Sequence, residues 1–299
     1  MVRLGIDLGG TKMEIIALDP AGRELLRRRI PTPGDGYQAI LGAIASLVGW
    51  AENELGRQGT VGMGTPGAVS RASGTLKNAN TVCLIGQPIL QDLERLLGRP
   101  VRMANDANCL ALSEAVDGAG AGAEVIFAVI LGTGIGGGIV VRGRVLTGTN
   151  AIAGEWGHNP LPWPCDDERP GPDCYCGKAG CIETFLSGPG LSRDYGRTAG
   201  EPLEAPEIAR RALAGDAACD TVLKRYEERL ARALAHVINI LDPDVIVLAG
   251  GLSNIGRLYE NVPRLLGSWV FSDRVDTLLV PAKHGDSSGV RGAAWLWND

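Results

Sequence analysis

Residues 174–183 read Cys174-Tyr175-Cys176-Gly177-Lys178-Ala179-Gly180-Cys181-Ile182-Glu183, and Gly154-Glu155-Trp156-Gly157-His158 stands upstream. Three thiols within eight residues, two glycines that let the chain fold back, and an imidazole supply the Cys₃His donors of a tetrahedral structural zinc. A chain of 299 residues does not need a metal to form its core, so the effect of one here would be local. It would fix a loop that carries Glu155 and His158 at one end and Glu183 at the other, around a polar ligand. The same spacing also suits a reduced, metal-free turn.

Two glycine turns share a composition. Asp7-Leu8-Gly9-Gly10-Thr11-Lys12 and Leu131-Gly132-Thr133-Gly134 each lie between strand-like runs, and such turns offer backbone N–H groups and a threonine hydroxyl to phosphate oxygens. Asp7 is suited to holding a hydrated Mg²⁺ beside the first. Gly132-Thr133-Gly134-Ile135-Gly136-Gly137 also matches a dinucleotide fingerprint. That motif must open a helix, whereas Gly138-Ile139-Val140-Val141 and Arg142-Gly143-Arg144-Val145 read strand, turn, strand. Gly177-Lys178 lacks the upstream glycine and the following hydroxyl of a P-loop. Gly250-Gly251, after the apolar run 245–248, is a place where a base or ribose packs against backbone.

Asn105-Asp106-Ala107-Asn108 follows a strand and opens a helix. Asp106 has the side chain of a helix cap, and equally that of the carboxylate which phosphoryl transfer needs beside an attacking hydroxyl. The loop Asn78-Ala79-Asn80 offers amides to sugar hydroxyls. Asn80, Asn105, Glu155, His158 and Glu183 together form a set suited to a polyol.

These residues need elements to hold them. Period-2 alternation predicts strands at 3–7, 12–18, 23–30, 61–63, 101–104, 125–131, 138–141 and 245–248, and apolar periodicity predicts helices at 38–55, 107–116, 207–213, 221–241 and 290–297. The Gly-Ala repeat at 118–123 reads as a domain boundary. Strand, glycine turn, strand recurs on either side of it, which predicts two related α/β halves with a cleft between them. The domains expected are 1–117, with the C-terminal helix 288–299 packing back on it, and 118–287, carrying the zinc loop.

A net charge of -5, with no basic run longer than Arg27-Arg28-Arg29, argues against nucleic acid or an anionic membrane as partner. No apolar run is long enough to span a bilayer, and the first residues form no signal peptide. Of seven cysteines, the four outside the zinc set (Cys83, Cys109, Cys165 and Cys219) are scattered, which fits reduced thiols in the cytoplasm.

The Asp-Leu-Gly-Gly-Thr-Lys start, the Leu-Gly-Thr-Gly loop, Gly-Glu-Trp-Gly-His and Cys-x-Cys-Gly-x-x-Gly-Cys-x-Glu together resemble the ROK family of sugar kinases and repressors. Lys77-Asn78-Ala79-Asn80, His158-Asn159-Pro160-Leu161-Pro162-Trp163 and the stretch 283–295 look most like its bacterial fructokinase (mannofructokinase) members. The resemblance implies a two-domain actin-like ATPase fold (hexokinase and ribonuclease H-like), ATP with Mg²⁺, a structural Zn²⁺, and a homodimer. It implies Asp106 as general base at the sugar O6, with Gly67, Asn80, Asn105, Asp106, Glu155, His158 and Glu183 on the sugar. Asp7, Gly9, Gly10, Thr11, Lys12, Gly132, Thr133, Gly134, Gly250 and Gly251 would meet ATP. His158, Cys174, Cys176 and Cys181 would hold the metal, with His158 also facing the sugar.

Fructose is the expected substrate. Glucose, mannose, N-acetylglucosamine and N-acetylmannosamine are the competing hexoses. A sugar-responsive repressor would need a DNA reader ahead of Gly5, where no residues remain for one. A sugar-binding protein without catalysis would have no use for Asp7, Gly10, Thr11 and Asp106. Loss of zinc is expected to weaken sugar binding and to leave ATP binding within a few-fold.

Overall fold

The computed structural model describes residues 1–79, 81–285 and 288–297. The chain groups into two compact units, Met1–Gly122 with Gly138–Ala153 and Asp286–Asp299, and Ala123–Gly137 with Gly154–Gly285. The division falls after Gly122, inside the glycine-alanine stretch, and residues 138–153 belong to the first unit instead of the second.

The chain opens with β1 (Arg3–Leu8), β2 (Lys12–Leu18) and β3 (Glu24–Pro31), followed by α1 (Tyr37–Leu55) and β4 (Thr60–Thr65). The short strands β5 (Ala68–Val69) and β6 (Leu76–Lys77), then α2 (Ile89–Leu97), β7 (Val101–Asn105) and α3 (Asp106–Val116) complete this stretch. Five of the strands form a sheet in the order β3-β2-β1-β4-β7. Alternation sorts its side chains: Leu4, Ile6, Leu8, Met13 and Ile15 share a core with Ile40 and Ile44 of α1 and Leu93 of α2. The intervening residues, Gly5, Asp7, Glu14 and Ile16, turn to the other face. Helix α1 is held by the stripe Ile40, Ile44, Leu47 and Ala51 and stops at Gly56, which adopts φ 62°.

β8 (Val125–Leu131), β9 (Ile135–Val141) and β10 (Arg144–Val145) start the second pattern, and α4 (Ile182–Leu186), α5 (Gly188–Ala199), α6 (Ala205–Leu213) and α7 (Ala217–Leu241) follow. β11 (Val245–Ala249), α8 (Leu258–Leu266) and β12 (Leu278–Pro281) complete it. The sheet order is β10-β9-β8-β11-β12, the same permutation as in the first sheet, with β8 in the place of β1. The stretch after 132–137 is strand, turn, strand, so the fingerprint-like glycines open no helix.

Along α7, Arg225, Arg229 and Arg232 form one stripe. Arg229 and Arg232 reach the buried carboxylate of Glu168 at 2.6 and 2.9 Å, Arg225 and Arg229 share Asp194 of α5, and Arg232 donates to the carbonyls of Pro162 and Trp163. Burial pushes the Glu168 carboxyl up, but the Arg229, Cys165 N–H and Arg232 donors outweigh it and hold the group below its usual range. This network ties the segment 162–168 to α7, the longest of the described helices.

α9 (Ser288–Trp295) returns to the first unit, where Val290, Ala294 and Trp295 pack with Ile16, Leu18 and Leu112. It lies so close that added Cβ atoms would meet backbone: at Gly5, Val290 O at 2.2 Å; at Gly62, Ala293 O at 1.9 Å; at Gly292, Cys109 O at 1.7 Å. Among the described residues no helix is long and apolar enough to cross a membrane.

Candidate functional site

The first unit gathers carboxylates. Strand register places Asp7 beside Glu14 and Glu14 beside Arg29, and Glu14 is clamped by Arg29 at 2.8 Å and by Arg27. Burial pushes the Asp7 carboxyl up to about 6, helped by the charges of Asp106 and Glu14 and opposed by Lys12 and Arg29. Strain between two neighbouring carboxylates is relieved by a divalent cation or by a proton. The buried Cys109 thiol is held in its neutral form by burial first and then by the charges of Asp7 and Asp106.

Asp106 is the first residue of α3, and the helix cap is Asn105. Its Oδ1 accepts the Ala107 N–H at 2.8 Å, and its Nδ2 donates to Gly67 O at 3.3 Å. Asp106 Oδ1 accepts the same Ala107 N–H at 2.8 Å, so Asp106 shares that donor with the cap residue and stands one position inside the helix. Asn105, expected on the sugar, has both ends of its amide engaged within the protein. Gly67 has φ 83° and no room for a side chain, since a Cβ would stand 2.3 Å from Lys77 O. These two residues shape the turn beside Asp106. In the 9–12 turn the Gly9 N–H donates to Lys12 O at 3.0 Å and Thr32 Oγ1 donates to Gly9 O at 2.7 Å, which leaves Gly10, Thr11 and Lys12 exposed. Asn80 lies outside the described residues.

The second unit contains a cavity of about 950 Å³, within the size range of cofactor and small-molecule sites. Gly132 and Thr133 line it together with Gly251, so the glycine loop and the end of β11 meet in one hollow. Gly250 sits against the neighbouring strand, where a Cβ would come within 2.5 Å of Leu131 O. Much of the remaining lining comes from α5 and the approach to α6, including Ser192, Arg193, Arg197 and Glu204, with Leu252 and Ile255 after β11. Ser187 caps α5, its Oγ accepting the Gly190 N–H at 3.2 Å, and the Gly188 N–H donates to Gly132 O at 2.8 Å. A helix N-terminus beside a glycine loop, with two guanidinium groups on the same helix, favours an anion. The sequence reading misses α5. Its readable signal is Ser187-Gly188-Pro189, a cap residue with proline in the first turn.

His158, Cys174, Cys176 and Cys181 offer ligand atoms that all lie within 4.8 Å of one another. His158 Nδ1 is 3.6 Å from Cys174 Sγ, and Cys176 Sγ is 3.6 Å from Cys181 Sγ. Sulfurs on a tetrahedral zinc stand about 3.7 Å apart, so the group fits such an ion. Its protonation fits too. The Lys178 N–H and neighbouring thiols draw Cys176 down toward the thiolate, while burial and those same thiols push Cys181 up to about 12; a cation would remove that conflict.

The other nitrogen of His158 does not stand open. Nε2 hydrogen-bonds Tyr175 Oη at 2.9 Å, with the two rings edge to face at 5.1 Å. Tyr175 is absent from the residues picked out by sequence. Glu155 is exposed at the start of the turn that carries His158. That turn is fixed by Trp156 on Phe127 and by Gly157, where a Cβ would stand 2.6 Å from Ile135 O. Glu183, expected only on the sugar, accepts the Ile135 N–H at 2.8 Å.

The chain belongs to the ROK family, whose pattern it matches over residues 3–299. It is 40% identical over 296 residues to an N-acetyl-D-glucosamine kinase of Vibrio atlanticus, covering 98% of both chains. Among solved structures it is similar to a ROK hexokinase from Thermus thermophilus, with 34% identity, a TM-score of 0.87, and coverage of 98% and 97%. It is also similar to a ROK glucokinase from Streptomyces griseus in complex with glucose and AMPPNP, with 28% identity, a TM-score of 0.79, and 99% of each chain covered. The repeated sheet order is that of the actin-like ATPase fold implied by the resemblance. The fructokinase resemblance finds no such support, since the Vibrio relative is named for N-acetyl-D-glucosamine.

Proposed function

We propose that this chain is an ATP-dependent hexose kinase that transfers the γ-phosphoryl group to the sugar 6-hydroxyl, with N-acetyl-D-glucosamine as its best substrate. The observation that carries the reading is the Asp7 and Asp106 pair, charged against one another, in a chain 40% identical over almost its whole length to an N-acetyl-D-glucosamine kinase. Phosphoryl transfer asks a protein for positioning and for neutralisation of charge, with a carboxylate to accept the hydroxyl proton. Asp106 is that carboxylate. Asp7 and the 9–12 turn would hold Mg²⁺ and phosphate oxygens. Gly132, Thr133, Gly134, Gly250 and Gly251 would take the nucleotide in the hollow beside α5. The sugar would meet Asn80, Glu155 and Glu183, and would reach His158 Nε2 only by displacing the Tyr175 hydroxyl, with Asn105 and Gly67 holding Asp106 in place.

Zinc would be held by His158, Cys174, Cys176 and Cys181. A closed four-donor set leaves no position for water, so zinc would hold the loop and take no part in proton transfer. Cytoplasmic placement and a homodimer complete the reading; none of the seven cysteines is in a disulfide.

Fructose is the second reading, favoured by the segments 77–80, 158–163 and 283–295. A coupled assay with ATP·Mg²⁺ and a panel of N-acetylglucosamine, N-acetylmannosamine, glucose, mannose and fructose separates the two. We expect the highest kcat/KM with N-acetylglucosamine. A higher value for fructose overturns the substrate ranking alone, and ATP-dependent phosphorylation of none of them overturns the kinase.

A further inference from the structure

Helix α4 is short, yet it touches two functional regions of the second unit. Its N-cap is Cys181, a member of the metal group, and that end is stitched to the His158 turn by the Ile182 N–H to Asn159 O at 2.8 Å and the Leu161 N–H to Gly180 O at 2.9 Å. Two residues on, Glu183 Oε2 accepts the Ile135 N–H at 2.8 Å, at the exit of the 132–134 loop. The same oxygen would lie 2.8 Å from a Cβ on Gly134, so the loop backbone is pressed against this carboxylate. Just beyond the helix, the Gly188 N–H donates to Gly132 O at 2.8 Å, which binds the entry of the loop as Glu183 binds its exit. A third tie leaves the cavity wall: Arg193 donates to Thr184 O.

From this we infer that Glu183 is a positioning residue for the nucleotide, and that α4 transmits the state of the metal loop to the 132–134 loop. The inference rests on the proposed kinase reading, and it revises the expectation that losing the metal spares ATP binding. The physical basis is a hydrogen bond from backbone to a charged acceptor, stronger than a neutral one. It sets where the glycine loop stands before any ligand arrives, and preorganisation of this kind appears directly as affinity.

The test is calorimetric binding of Mg·AMPPNP to the full, zinc-loaded chain with no sugar present, so that any sugar contact of Glu183 is silent. We expect Glu183→Ala to weaken nucleotide binding by about tenfold or more and to speed amide exchange at residues 132–137. Glu183→Gln, whose amide oxygen still accepts the Ile135 N–H, should stay within roughly threefold of the parent. Stripping zinc from the unmodified chain with a zinc-selective chelator should weaken Mg·AMPPNP as well, an arm that requires no variant to fold. Unchanged nucleotide affinity in Glu183→Ala or in the stripped chain overturns the inference while the kinase reading stands. Failure of the parent chain to bind Mg·AMPPNP overturns both.

Discussion

At the scale of single residues, Asp7 and Asp106 divide the cost of the site. A folded carboxyl at about 6 against about 4 in an unfolded chain means that the folded state binds the proton more tightly. Stability therefore falls as pH rises through that window, and the full cost of ionised Asp7 stands above about pH 6. Asp7→Asn should remove a cost on the order of 1–3 kcal/mol at pH 7.5 and much less at pH 4.5, while abolishing phosphoryl transfer. Melting curves of both chains at the two pH values check this, and a variant no more stable at pH 7.5 refutes it. Asp106→Asn should behave differently. Because Asn105 is the cap and an asparagine amide oxygen at 106 can still accept the Ala107 N–H, the melting temperature should change little, and kcat should fall by roughly 10²-fold or more. Near-parent turnover in that variant would remove Asp106 from the reaction.

Among the elements, glycines decide which contacts exist. Gly292→Ala would set a Cβ 1.7 Å from the Cys109 carbonyl. The clash is with backbone, so α3 and α9 must separate, and we expect a loss of about 3 kcal/mol or more. Gly42→Ala in α1 meets nothing within 4 Å and should stabilise by about 0.5–1 kcal/mol; urea melts of the pair test the contrast. Removing Glu168 takes from two buried arginines the carboxylate they share and leaves Arg229 with Asp194 and Arg232 with Glu228 and two carbonyls, so Glu168→Ala should cost about 1.5–3 kcal/mol by the same measurement. Helix α1 is legible in the sequence because its apolar stripe is one-sided, α7 because it runs for 25 residues, and α3, buried on nearly every side, through the Asn105-Asp106 pair that opens it. The starts of α4 and α5 are not. Five residues give α4 no period to read, and α5 carries glycine and arginine toward a cavity where an apolar stripe would otherwise run.

For the molecule as a whole, the site is legible where spacing is local and hidden where it depends on folding. The metal set is visible because its thiols lie within eight residues. The tie from Glu183 to Ile135 spans 48 positions and has no sequence signature, nor does the engagement of His158 Nε2 by Tyr175. The paired glycine turns are readable as a repeat because both sheets place them between equivalent strands. One further consequence concerns the making of the protein. The face of the first sheet that carries Gly5, Ile16, Leu18 and Gly62 is closed by α9, which is encoded at the far end of the chain. At ordinary elongation rates the ribosome needs on the order of ten seconds or more to reach it after the first 122 residues have emerged. Throughout that interval the nascent first unit exposes an apolar seam that its own sequence cannot yet cover, and the second unit, which ends at Gly285, is completed before α9 is made. Synthesis of this chain thus runs against the usual order: the part begun first is finished last, and a nonsense codon just before Ser288 should yield a product that aggregates through its amino-terminal half.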